Sequence, residues 1–322
     1  MKLTSLLLKP FLLCAISFAA NAGQPYTLTE HDVTVTQGTI TSAKLTDADG
    51  AYYKANIIIP AQIKGHQITA IGDHVFQGDG ITSIELPASL RKIGAFAFQN
   101  NRIQVLKLPA KLNFIGEGAF EFNNITEVLL PEGLTSISAS AFATNSITRV
   151  TWPAGLTSVG SSAFRDNSLM VVELPGSVEK IGDFAFQNNR ITRLKLPEGL
   201  SKIEKSAFNV NFLMGVELPD SLTSIEESAF RDNRLTQIKL PDGIQHIGDK
   251  AFLANRLHEV ELPAALTYIG KEVFKINAEF NGFTLPGNHT KVRWLASDGT
   301  LLHADQTLTK QQSHLSFKRL GQ

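Results

Sequence analysis

The chain has 322 residues, with 30 basic side chains balanced by 30 acidic ones, 19% charged and 43% hydrophobic residues. That much apolar material can close a core, which excludes a largely disordered chain, and the charge balance leaves no polycationic footprint for nucleic acid or anionic lipid. A single cysteine, Cys14, excludes a disulfide framework and a thiolate metal cage.

Residues 1–22 carry Lys2 and Lys9, an apolar run from Phe11 to Ala20, and the small-x-small end Ala20-Asn21-Ala22. A positive start, a short apolar middle and a small-residue end predict a secretory signal cleaved after Ala22. The run is shorter than the roughly 20 residues a membrane-spanning helix needs, and no other segment is apolar enough. Leu13 is bulky where a lipid-attachment signal wants a small residue before Cys14, so a lipoprotein signal is disfavoured. The mature chain is therefore expected to be secreted, periplasmic or on the cell surface, held together by packing alone. Residues 23–55 follow as a β-prone N-terminal cap, with Val33-Thr34-Val35, Thr39-Ile40-Thr41 and a turn at Asp47-Ala48-Asp49-Gly50.

From residue 56 to 285 one period governs the sequence. Proline recurs every 22 residues from Pro87 to Pro263, phenylalanine from Phe76 to Phe274, and asparagine from Asn101 to Asn277, with Asp79 in the first copy. Ten of the 20 phenylalanines share this register. Within a unit, Ile191, Leu194 and Leu196 predict a short strand with one buried face, stopped by Pro197, which has no N–H for a ladder. Leu200 and Ile203 begin the return path, and Ala207-Phe208 packs inward on a tight turn. One unit cannot bury its own apolar edge, so the units must stack as a solenoid. Stacking predicts a buried phenylalanine spine and an asparagine ladder bonding backbone groups that the turns leave unpaired. The position after the return-path Ile or Val is Gly in seven units but Ser138, Glu204 and Glu226 in others, so left-handed backbone is not expected to be required there.

Units of the form Leu-Pro, Leu-x-x-Ile-Gly and Ala-Phe resemble BspA-like leucine-rich repeats of the treponemal type, and the opening stretch from Ile57 to Phe76 resembles that family's longer first unit. This chain departs from the commoner unit in carrying Asn where Cys often follows, and in a length of 22 rather than 23. The resemblance implies an α/β-type repeat solenoid of about ten units. Short parallel strands would be joined by tight turns or 3-10 segments on the return path. It also implies an exported bacterial protein used in adhesion and protein binding, and supplies no catalytic residue. Residues 286–322 are expected to form a C-terminal β cap, with Val292-Arg293-Trp294, a Ser297-Asp298-Gly299 hairpin turn and Leu315-Ser316-Phe317.

Two exposed columns flank the buried strand residue. One includes Lys107, Leu129, Thr151, Glu173 and Lys195, and continues through Glu217, Lys239 and Glu261. Its alternating signs predict a cross-strand ion-pair ladder, because alternating charges present no net field. The other includes Val105, Glu127, Arg149, Val171 and Arg193. Val105, Leu129 and Val171 place apolar groups beside arginines where the fold does not need them, which is the composition of a binding hot spot. These ten residues are the candidate binding surface, expected on the concave face, for a protein, matrix or cell-surface ligand. Trp152, in place of Leu before Pro153, is expected to pack against the core rather than serve as a sugar platform. The eight histidines show no metal-ligand spacing, and there is no phosphate-binding glycine loop or nucleophile elbow. No enzyme, cofactor or metal is expected. The expected function is an interaction module; the alternatives are a structural envelope or spacer protein and a carbohydrate-binding module.

Overall fold

The computed structural model describes residues 24–45, 55–286, 293–304, 306–309, 312 and 314–320. The segment 1–22 and the turn at Asp47-Ala48-Asp49-Gly50 lie outside them. Successive 22-residue stretches form coils stacked in register, with nine intervals between ten phenylalanines. Among the described residues the coils contain only strands, turns and bends, so the expected repeat solenoid is built with tight turns on its return path, and β-solenoid describes it more closely than α/β. The reason lies in the backbone. Two residues per coil, four apart, take left-handed φ of 52–72°, as at Phe96 and Asn100 or Ser206 and Val210, which no right-handed helix tolerates.

Those two residues bracket the Ala-Phe pair, and the turn they make is the best-bonded part of each coil. Phe76 N–H donates to the Ala97 carbonyl, Phe98 to Ala119, and so on to Phe252 and Val273 at 2.8–3.0 Å. The left-handed residues themselves donate to the following coil, as Phe96 does to Glu117 and Asn100 to Glu121. These bonds offset a left-handed strain of about 1–3 kcal/mol per non-glycine residue. Inside the turn the ten rings stack nearly parallel, with centroids 5.2–5.9 Å apart and planes within 12°. All ten are fully buried.

The asparagine column does what its chemistry allows. Asn189 Nδ2 donates to the Phe186 carbonyl of its own coil (3.2 Å) and the Phe164 carbonyl of the coil before (2.9 Å), while Oδ1 accepts from Leu169 N–H (3.0 Å). The same set recurs from Asn101 to Asn277. Asp79 opens the column with a carboxylate, which has no donor of its own. Its Oδ2 is buried without a partner, and burial pushes its pKa up to about 6.

The coils from Ala70 to Ile269 each have a return-path strand segment, several also have a first-strand segment, and the two kinds behave differently. The return-path segments, such as Lys92–Ile93, Phe114–Ile115 and Ser158–Val159, form parallel ladders. These ladders break twice, between Phe114–Ile115 and Ser136–Ile137 and between Lys180–Ile181 and Lys202–Ile203. Both breaks fall where a side chain follows a glycine coil, at Ser138 above Gly116 and Glu204 above Gly182. The glycine is there for proximity: a Cβ on Gly116, Gly160 or Gly182 would lie 2.5–2.9 Å from backbone atoms of the preceding coil. At Ser138 the hydroxyl takes over, donating to the Ile115 carbonyl at 2.5 Å, the acceptor that a glycine N–H reaches in neighbouring coils. Glu226, which follows another glutamate at this position, donates its N–H to the Ile203 carbonyl (2.9 Å), and pairing resumes. The first-strand segments, before each proline, pair only in twos over much of their length: Glu127–Leu129 with Arg149–Thr151, and Val171–Glu173 with Arg193–Lys195.

The ends continue both columns. Tyr26–Thr27 pairs parallel with Asn56–Ile58, and Thr39–Ala43 pairs parallel with Ala70–Ile71 and antiparallel with Val33–Thr36. At the other end Phe317–Arg319 adds antiparallel to Tyr268–Ile269. The Asp298-Gly299 turn joins Arg293–Ala296 to Leu301–His303, with Thr300 N–H bonded to Asp298 Oδ1 at 2.9 Å. Phe280 and Phe283 close the spine against Phe274, at centroid distances of 5.0 and 5.5 Å.

Candidate functional site

The candidate surface is built by the first-strand segments. In Glu127–Leu129, Val171–Glu173 and Arg193–Lys195 the central residue is buried and its two neighbours are exposed, because side chains alternate across a strand. All ten candidate residues are exposed: Val105, Lys107, Glu127, Leu129, Arg149, Thr151, Val171, Glu173, Arg193 and Lys195. Parallel register sets Glu127 beside Arg149, Leu129 beside Thr151, and Val171 beside Arg193. Val105 and Leu129 remain 63% and 66% accessible, which for aliphatic side chains held on a rigid backbone is a standing hydration cost.

The expected ion-pair ladder is not formed. Glu173 reaches diagonally to Arg193 Nη2 at 2.9 Å rather than to Lys195 opposite. Among the described residues no ion pair within 4.0 Å joins Lys195, Glu217, Lys239 and Glu261. The strands here are bonded only in part, by a single bridge between Lys195 and Glu217, so short carboxylates and long amines in one column are not drawn together. The exposed pair is worth at most about 1 kcal/mol.

Two depressions open on this face. One, of about 260 Å³, is lined by Val105, Leu129, Glu127, Arg149 and Thr151 among others. The second, of about 780 Å³, extends past the predicted residues: Glu173, Arg193 and Lys195 on one side, Glu217, Gln237 and Lys239 on the other. Gly215 lies between them, and its missing side chain was the available sequence signal. Trp152 is half-buried and packs edge-on to Phe164 (5.2 Å, 79°) and Phe186 (6.2 Å, 76°), as a packing residue does. Sequence reasoning also missed exposed Met170, Phe212 and Met214, which lie just outside the two columns weighed. Among the described residues no group of three His, Cys, Asp or Glu side chains could hold a metal ion, and no helix is long and apolar enough to cross a membrane.

The family model for the BspA type leucine rich repeat region (6 copies) matches residues 49–170, 135–252 and 212–303. The chain belongs to the BspA-type leucine-rich repeat family. Among solved structures it is similar to a leucine-rich repeat protein from Bacteroides ovatus (TM-score 0.58, 22% identity, 80% of this chain and 63% of that one). It is also similar to the pneumococcal vaccine antigen PcpA (TM-score 0.54, 23% identity, 84% and 74%). This BspA-type chain thus spans less than two thirds of the Bacteroides protein, and at these identities the likeness is one of fold. No curated protein matches it.

Proposed function

We propose that this BspA-type repeat protein is a non-enzymatic, exported interaction module that binds a protein on a cell surface or in a matrix through its first-strand face. The observation that carries the reading is the placement of Val105, Leu129 and Val171 in exposed columns beside Arg149 and Arg193, with Val105, Leu129 and Arg149 lining one depression and Arg193 the other. A spacer has no use for apolar groups there, whereas a desolvated contact gains about 25 cal/mol per Å² of apolar area covered. Export rests on the charge and hydropathy pattern of residues 1–22.

The test compares pull-downs from cell-surface extracts by the purified protein and by a Val105→Glu, Leu129→Glu double variant. Loss of a specific partner with an unchanged thermal midpoint supports the reading. Equal capture by both proteins, or a glycan-array signal that the double variant retains, overturns it.

A further inference from the structure

A second surface lies where the chain leaves the asparagine turn and enters the first strand. Four consecutive coils place Arg190, Phe212, Arg234 and Arg256 at equivalent positions, and all four are exposed. Each is fixed by its backbone, since the four N–H groups donate to Leu169, Ile191, Leu213 and Leu235 carbonyls of the preceding coils at 2.9–3.0 Å. The residue after each is fully buried. The Arg234 guanidinium lies over the Phe212 ring, 4.3 Å from its centroid, which leaves guanidinium N–H edges available to an acceptor. Val210 and Met214 flank Phe212 in its own coil, both exposed. A depression of about 340 Å³ lies beside them, lined by Ser168, Arg190, Val210 and Phe212 among others.

The charges do not cancel locally. Asp166 is paired with Arg165 (3.1 Å) and Asp232 with Arg231 (3.0 Å), leaving Glu279, in contact with His258 (3.1 Å), against the three stripe arginines. Among the described residues Arg190, Arg234 and Arg256 have no carboxylate within 4.0 Å. The stripe therefore presents positive charge around an apolar centre. Its step is one coil, and the phenylalanine spine beneath it repeats at 5.5–5.8 Å between ring centroids in these coils. An α-helix repeats every 5.4 Å along its axis, whereas same-face residues of an extended strand repeat every 6.4–6.8 Å or so. A helix laid along the stack meets one coil per turn; a strand falls out of step by about 1 Å at each coil.

We propose that the Arg190–Phe212–Arg234–Arg256 stripe docks an acidic amphipathic helix of a partner protein, its carboxylates on the arginines and its apolar residues on Phe212 and Met214. This rests on the protein-binding reading above and names a partner chemistry for it at a separate surface.

Fluorescence anisotropy tests it with a dye-labelled, lactam-stapled helix of about 18 residues, long enough for four coils, carrying a glutamate stripe flanked by leucines. The glutamate helix should bind the protein, and a lysine-for-glutamate version should not. Arg190→Glu with Arg234→Glu should weaken binding by about tenfold or more, and Phe212→Ala, which keeps the charge, by several-fold. Should the double variant fold poorly, Phe212→Ala and Arg256→Glu carry the test. Absence of binding by the glutamate helix overturns the proposal. So does equal or tighter binding by an unstapled peptide of alternating glutamate and leucine. Competition by dextran sulfate together with indifference to Phe212→Ala overturns it as well, since that marks a plain polyanion site. Pull-down through Val105 and Leu129 is unaffected by these outcomes, so the two readings can fail separately.

Discussion

The two strand edges of each coil share a backbone and a period, yet one is a nearly continuous ladder and the other is bonded in twos. On the return-path edge, Lys92–Ile93 pairs with Phe114–Ile115 and Ser158–Val159 with Lys180–Ile181, where Gly94, Gly116, Gly160 and Gly182 beside them let coils close up. On the first-strand edge, nothing enforces that closeness, and proline removes a donor from every coil. The turn side makes up the difference: its bonds run through the positions where the return-path ladder breaks, as Gly118 to Ala139 and Phe184 to Lys205 show. Cohesion thus resides in the turn and the asparagine column, and the first-strand edge is left free to vary.

Four substitutions break or sharpen this contrast. The largest effect is expected in the asparagine column. Asn189→Ala orphans the Leu169 N–H and removes a donor from two phenylalanine carbonyls, so urea unfolding should show a loss of about 3 kcal/mol or more. Next comes Gly182→Val, which forces a Cβ into the backbone of the coil before it. A loss of about 1–3 kcal/mol is expected, with faster amide exchange at residue 182, whose N–H now bonds Val159.

Asp79→Asn should act in the opposite direction and with pH. The carboxyl's pKa, raised from 3.8 to about 6, lies above its unfolded value, so the folded state binds the proton more tightly. Its contribution is therefore favourable below about pH 4 and is lost as pH rises through about 6. Asparagine restores a donor and removes that loss. Because the group is only half-buried, the full linkage of about 3 kcal/mol is discounted to a gain of about 1–2 kcal/mol at pH 7. Thermal midpoints measured from pH 4 to 8 should diverge between the two proteins only towards the upper end. The smallest effect belongs to the first-strand edge, where Val171→Ala should change stability by no more than about 0.5 kcal/mol in the same assay.

The proline, phenylalanine and asparagine columns were legible because each repeats one residue type for one physical task. Their partners, down to the asparagine's donor and acceptor roles, followed from side-chain chemistry. The left-handed positions were not legible: His74, Phe96, Ser140 and Glu272 share that backbone without sharing chemistry, since the neighbouring coil and not the side chain imposes it. The glycine column was visible, but its role is close approach, and the exceptions at Ser138 and Glu204 mark ladder breaks only once the stacking distance is known. On the candidate surface, exposure was legible from strand alternation. Pairing was not, because whether Glu173 meets Lys195 or Arg193 depends on spacing and reach that no column of letters contains.

Each asparagine accepts from a residue 20 positions earlier and donates to carbonyls 3 and 25 positions earlier. Loss or duplication of one whole 22-residue stretch therefore rejoins every such bond with an equivalent partner. A gene encoding this chain can grow or shrink by 66 nucleotides at a time, changing the reach of the molecule by one coil while both terminal closures keep their fit.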